Sequence, residues 1–239
     1  MIRIYIICCF TSFFLASLLI PAASAEETLV NFEANARILF QGDSITDGNR
    51  GRSEDPNHIL GHGYQFIIAA KHGAALADRK LTFLNRGISG NKVTDLEKRW
   101  QKDTLDLKPT VLSILIGVND NSGGIPLDQY EANYDKLLTE TKAALPEIKF
   151  VLCEPFTLPG GKDRGDAWKT TLEQRQAIVA KLAKKHAAAL VRFQQAFDDA
   201  CRQAPAEHWI WDGVHPTYSG HQIMAIAWER AVREHWQAK

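Results

Sequence analysis

The sequence has no surplus of either charge. Lys and Arg together number 28, as do Asp and Glu. Leaving out Arg3, the one charged side chain among the first 25 residues, 27 basic groups face 28 acidic ones, a formal charge of about −1. That balance offers no electrostatic case for a nucleic-acid partner. Internal repeats and low-complexity tracts are absent. His58 and His62 are four residues apart, but Ile59 stands where a metalloprotease helix needs glutamate, and no third ligand is evident. Gly160-Gly161-Lys162 follows a strand-like run without the spacing or the Ser/Thr of a phosphate loop. Cysteine is scarce: beyond Cys8 and Cys9, only Cys153 and Cys201 occur. An exported chain can join that pair, whereas Cys153, ending an apolar run, also fits a buried thiol. The sequence leaves the disulfide open.

The longest apolar run is at the N-terminus. Arg3 gives a basic start, Ile4 to Ile20 is almost wholly apolar, and Ala23-Ser24-Ala25 has the small-x-small form of a cleavage site. The run is short for a span, Pro21 interrupts it, and no basic stop-transfer flank precedes Glu26-Glu27. Cys8 and Cys9 lack a lipoprotein-type arrangement. Residues 1–25 therefore read as a signal peptide cleaved near Ala25, which predicts a periplasmic or secreted protein with no stable membrane anchor after cleavage. Residues 26–239, about 214 in all, suit one α/β domain.

In that domain apolar strand-like runs alternate with helical patterns. Strands are expected at Arg37–Gln41, Leu81–Asn85, Val111–Ile116, Lys149–Cys153 and Ala189–Phe193. Helices are expected at Tyr64–Asp78, Val93–Leu107, Leu127–Ala144, Ala167–His186, Phe197–Gln203 and Ser219–Trp236, the last burying Ile223, Ile226, Ala227 and Ala231. The unbroken apolar Val111–Ile116 has the character of a central parallel strand covered on both faces. The alternation predicts a parallel sheet with helices on both sides.

The residues able to do chemistry fall at the ends of those strands or in late loops. Ile38-Leu39-Phe40 stops at Gly42-Asp43-Ser44, a turn that lifts a serine hydroxyl to the edge where open sheets place ligands. A serine needs a base and an oxyanion site. Asp212 and His215, three apart in a turn, supply a carboxylate able to orient an imidazole, and that imidazole can take the Ser44 proton. The backbone N–H groups of Ser44 and Gly87 and the Asn119 amide suit the oxyanion. Each alone has a plainer reading: Ser44 a turn or cap, Asp212 a helix-entry cap, Gly87 and Asn119 turn residues. Their occurrence together, in order, on an α/β pattern carries the argument.

Gly42-Asp43-Ser44, Gly87 within Asn85-Arg86-Gly87-Ile88-Ser89-Gly90-Asn91, Gly117-Val118-Asn119-Asp120 and Asp212-Gly213-Val214-His215 resemble the four sequence blocks of the SGNH (GDSL) hydrolase superfamily. The resemblance implies a flavodoxin-like three-layer α/β/α sandwich around a five-stranded parallel sheet. It also implies a triad of Ser44, His215 and Asp212, an oxyanion hole of Ser44, Gly87 and Asn119, and no metal or organic cofactor. Arg50, the Gly61-His62-Gly63-Tyr64 turn, Val93-Thr94-Asp95-Leu96 through Arg99-Trp100, Trp211-Asp212 through His215-Pro216, and Gly220-His221 further resemble bacterial acetyl-xylooligosaccharide esterases. The expected partner is a small-molecule or oligosaccharide acyl ester, with xylan acetyl groups foremost. A lysophospholipid or thioester acylhydrolase with the same triad, and a non-catalytic carbohydrate-binding protein on the same scaffold, are the alternatives. A homo-oligomer is left open. Candidate substrate contacts are Asp43, Arg50, Glu154, Phe156 and Trp211, with Trp168 and Trp209 further tryptophans near site loops; flat indoles suit stacking on sugar faces. Arg52, His186 and His235 are expected to face solvent, and His221 to be a structural hydrogen-bonding residue.

Overall fold

The computed structural model describes residues 29–53, 55–160 and 164–237. The expected signal peptide at 1–25 lies outside them. Five parallel strands, β1 (Arg37–Gly42), β2 (Thr82–Asn85), β3 (Val111–Leu115), β4 (Lys149–Cys153) and β5 (Ala189–Val191), form one sheet in the order β2-β1-β3-β4-β5. All four pairings are parallel. The two-residue period of a strand divides its side chains between two cores. Ile38, Phe40, Val111, Leu115, Val151 and Cys153 face one core, while Leu39, Leu112, Ile114, Phe150 and Leu152 face the other. Every residue of β3 is buried, as expected of a strand covered on both faces.

The helices follow in chain order: α1 (Ser44–Asp47), α2 (Tyr64–Ala75), α3 (Val93–Trp100), α4 (Val118–Ser122), α5 (Leu127–Ala144), α6 (Asp166–Lys185), α7 (Phe193–Ala200), α8 (Ala206–Trp209) and α9 (Tyr218–Gln237). Residues of α2, α7 and α9 belong to the first core, and those of α3, α5 and most of α6 to the second. The fold is thus the expected α/β/α sandwich. The inner stripe of α5, Tyr130, Tyr134, Leu137, Leu138 and Thr141, follows the 3.6-residue period.

Some expectations need correction. The helix expected from Phe197 begins at Phe193, because the Glu154 carboxylate accepts the Gln194 N–H at 3.2 Å and draws the chain into a helix directly after β5. On α9 the buried stripe is Gly220, His221, Met224, Ala225, Trp228, Glu229 and Val232; Ile226 lies on the outside. α3 widens into a single π-type turn at Gln101–Leu105 instead of continuing as a regular helix. Cys153 and Cys201 are both free; Cys153 is fully buried on β4 with its Sγ 3.7 Å from Ser113 Oγ, so the buried-thiol reading holds. Among the described residues no helix is long and apolar enough to cross a membrane.

Candidate active site

The order of the strands reverses between β1 and β3, the place in such sheets where ligands gather beyond the carboxyl ends. Ser44 follows β1 there, and Asn119 follows β3. Gly42 is needed for close approach: a Cβ at this position would lie 2.3 Å from the Leu115 carbonyl oxygen of the neighbouring strand. Asp43 then caps α1, its Oδ1 accepting the Ile45 N–H at 3.1 Å. Ser44 is the first residue of that helix, so its own N–H has no intrahelical acceptor.

Asp212 and His215 come from the loop between α8 and α9. A bridge between Ile210 and Pro216 and the bond from Trp211 N–H to the His215 carbonyl (3.1 Å) pinch the loop at its base. Within it, Asp212 Oδ1 accepts the N–H groups of Val214 (3.1 Å) and His215 (2.8 Å), and Oδ2 lies 2.6 Å from His215 Nδ1. Burial pushes the Asp212 carboxyl up, but the bonds from His215 and Val214 outweigh it and hold the group below the ordinary carboxylate value. An ionised Asp212 accepts a hydrogen bond from Nδ1–H and so keeps the ring proton on Nδ1, which leaves Nε2 as acceptor. The Ser44 hydroxyl donates to that Nε2 at 2.8 Å. Three residues separated by up to 171 positions thus meet in one hydrogen-bonded line.

The expected oxyanion donors meet a more crowded setting. Asn119 Nδ2 donates one hydrogen to the Asn91 carbonyl at 3.2 Å, which sets the amide's orientation and leaves its second hydrogen. Gly87 presses against α1: a Cβ there would lie 2.4 Å from Asp47 N. Its N–H, expected to be open, is engaged by Asn85 Oδ1 at 2.8 Å, so an oxyanion would have to share it. Asn85 also donates through Nδ2 to the carbonyls of Thr46 (2.7 Å) and Leu60 (2.8 Å), which ties the Gly87 turn to α1 and to the loop between α1 and α2. Sequence reasoning passed over Asn85 and Asn91 as site residues; a polar side chain closing an apolar strand two positions before Gly87 was the available signal.

Four of the five candidate substrate contacts are placed elsewhere. Asp43 is 1 % exposed and serves as the helix cap. Glu154 is buried and holds the start of α7. Phe156 is fully buried, its ring 4.7 Å from that of Phe197 and 5.9 Å from that of Phe193, and so forms core instead of a pocket wall. Arg50 is half-buried, and its Nε donates to the Gly87 carbonyl at 2.9 Å, a buttress behind the turn. Burial, with Arg52 and Arg86 nearby, lowers its pKa to about 10. Trp211 alone stands open, 71 % exposed, on the rim of a cavity of about 330 Å³ that reaches Ser44 and His215. Trp209 is core, Arg52 pairs with Asp47 at 2.8 Å, and His186 is largely covered and pairs with Asp135 at 2.7 Å.

Beneath the serine, burial pushes the Asp43 carboxyl up to about 7, with Asp120 adding to the rise, and pushes Asp120 up to about 6 although it accepts the Val93 N–H. Each keeps one buried Oδ2 without a partner among the described residues. Among those residues no group of three or more His, Cys, Asp or Glu side chains could hold a metal ion.

Comparison with known proteins agrees with this architecture. Residues 40–223 match the model of the GDSL-like Lipase/Acylhydrolase family. An acetylxylan esterase of Geobacillus stearothermophilus is 34% identical over 212 residues, covering 84% of this chain and 95% of the relative. The crystal structure of that bacterium's acetylxylan esterase Axe2 superposes with a TM-score of 0.77 at 31% identity, covering 86% of this chain and 96% of the other. A protein of Parabacteroides merdae described as a GDSL-like lipase gives a TM-score of 0.81 at 40% identity, covering 86% and 99%. A serine-to-alanine and an aspartate-to-alanine variant of Axe2 are described as catalytic mutants. This chain belongs to the GDSL (SGNH) lipase/acylhydrolase family and is a carboxylic ester hydrolase.

Proposed function

We propose that the protein is an exported serine esterase that removes short acyl groups, foremost acetyl, from carbohydrates such as xylan fragments. The observation that carries the reading is the line from Ser44 Oγ to His215 Nε2 (2.8 Å) and from His215 Nδ1 to Asp212 Oδ2 (2.6 Å). In it, His215 takes the serine proton as Ser44 Oγ attacks the acyl carbon, and Asp212 stabilises the imidazolium that forms. The tetrahedral oxyanion accepts from the Ser44 N–H and the second Asn119 Nδ2 hydrogen, and shares the Gly87 N–H with Asn85. His215 then returns its proton to the leaving alcohol oxygen, and the acyl group remains on Ser44 as an ester. Water, deprotonated by the same imidazole, attacks that ester and releases the acid and the free serine.

The acetyl and sugar specificity is supported by the resemblance to an acetylxylan esterase, and export by the N-terminal segment. The test compares acetate release from acetylated xylo-oligosaccharides by the wild type and by Ser44→Ala, alongside esters of long-chain acids. Turnover of acetyl esters that vanishes in Ser44→Ala while the circular-dichroism spectrum is unchanged supports the reading. Undiminished hydrolysis by that variant removes the nucleophile, and a preference for long-chain esters replaces the carbohydrate substrate with a lipid.

A further inference from the structure

The cavity that reaches Ser44 lies on the His215 side of the serine, away from Gly87 and Asn119, neither of which borders it. Its remaining walls include His62, Trp211 and His221. His221 sits in the first turn of α9 and is 6 % exposed. Its Nδ1 accepts the Tyr64 N–H at 3.2 Å. A neutral imidazole that accepts at Nδ1 carries its proton on Nε2, so the tautomer is set by the start of α2. The Nε2–H has no acceptor among the described residues, and it is not one of the polar atoms sealed away without a partner, so it is open to the cavity. Burial, reinforced by His62 and His215 nearby, lowers its pKa to about 4, so the ring stays a neutral donor under ordinary conditions.

The chemistry assigns the contents of that cavity. The imidazole that receives the serine proton must hand it to the leaving oxygen, so the alcohol half of the ester sits beside His215 and the oxyanion half beside Asn119. An alcohol that is a sugar presents hydroxyl and ring oxygens together with a flat C–H face. An unpaired N–H and an exposed indole at 71 % suit those two features.

We infer that this cavity is the leaving-sugar subsite, in which the His221 Nε2–H donates to a sugar oxygen and Trp211 supplies the stacking face. The inference rests on the esterase reading above and adds which residue recognises the alcohol.

Two esters with rings of one size test it, methyl xyloside acetate and cyclohexyl acetate, the second lacking hydroxyl and ring oxygens. The wild type is expected to prefer the sugar ester by about 10-fold or more in kcat/KM, the scale of one well-made hydrogen bond to a buried donor. In His221→Asn the amide oxygen can still accept the Tyr64 N–H while the Nε2–H is gone. That variant is expected to lose about 10-fold on the sugar ester, mainly through KM, and to stay within about 2-fold on cyclohexyl acetate. Equal losses on both esters, or no loss on the sugar ester, would make His221 a purely structural residue. If the variant does not fold, a wild type that treats the two esters alike overturns the subsite by itself. A wild type inactive on both esters would fail the esterase reading instead.

Discussion

The two flanks of Ser44 are built on different principles. On the β2–β1–β3 side, polar groups are held by other polar groups: Asn91 orients Asn119, Asn85 binds the Gly87 N–H and α1, and Arg50 braces the Gly87 carbonyl. On the α8–α9 side, Asp212 and His215 hold each other at 2.6 Å, but their loop opens onto a cavity, and Trp211 projects from it. Donors aimed in advance at a developing charge act on the transition state and cost no reorganisation during reaction. An open wall with one free N–H and an exposed indole acts on what enters. Damage to the donors of the first flank should therefore appear in kcat, and damage to the cavity wall of the second, Trp211 or His221, in KM.

The largest effect is expected in the hydrogen-bonded line through His215. Asp212→Asn preserves the shape of the loop but removes the carboxylate that holds the proton on His215 Nδ1, so the base is presented in the wrong tautomer. Acetyl ester turnover should fall by about 10⁴ in kcat with KM little changed. A loss confined to KM would place Asp212 with the recognition flank. Next comes Asn119→Ala, which deletes one of the proposed oxyanion donors; kcat should fall by about 10² to 10³, again at nearly constant KM. Steady-state kinetics on one soluble acetyl ester suffice for both. Gly87→Ala probes the packing of the closed flank: its Cβ would lie 2.4 Å from Asp47 N, backbone that cannot swing away as a side chain would. Overpacking of this kind should cost about 1–3 kcal/mol in urea unfolding. If instead stability is unchanged, α1 is less tightly held than its contacts imply.

The residues around the site were not equally legible from the sequence. The meeting of Ser44, Asp212 and His215 was legible because strand-end turns and a three-residue spacing are local features, and the same locality made Leu127–Ala144 and Lys149–Cys153 readable to the residue. Glu154 and Phe156 were not, because both follow a strand at the ligand edge, where a pocket wall and a core look alike in one dimension. The aromatic rings of Phe193 and Phe197 decide the matter for Phe156, and they arrive from α7, whose start depends on Glu154 itself. Asp43 likewise reads as a polar turn residue, whereas its burial comes from the packing of α1 against the sheet. The Asn91 carbonyl that orients Asn119 comes from a backbone atom, which no side-chain pattern announces.

The last prediction separates the flanks by the sign of their response to pH. Burial raises Asp43 from 3.8 to about 7, so the folded state holds a proton that the unfolded chain has already released. Stability from this group is complete below about pH 4 and is lost as pH rises through 7, by at most about 1.4 kcal/mol for each pH unit. His221 behaves oppositely: lowered from 6.5 to about 4, it contributes stability that is complete above 6.5 and is lost as pH falls through 4. Asp43→Asn keeps an Oδ1 to accept the Ile45 N–H and removes the titration. Its melting temperature, measured against wild type across this range, should gain on the wild type steadily from pH 4 to pH 7 and then run parallel to it. Asp120 and Glu154, raised by burial to about 6 and about 7, respond in the same direction in both proteins and so largely cancel from the difference. A difference that instead shrinks toward neutral pH would mean that Asp43 is charged in the folded protein, and the closed flank would then hold a buried negative charge below the proposed oxyanion site.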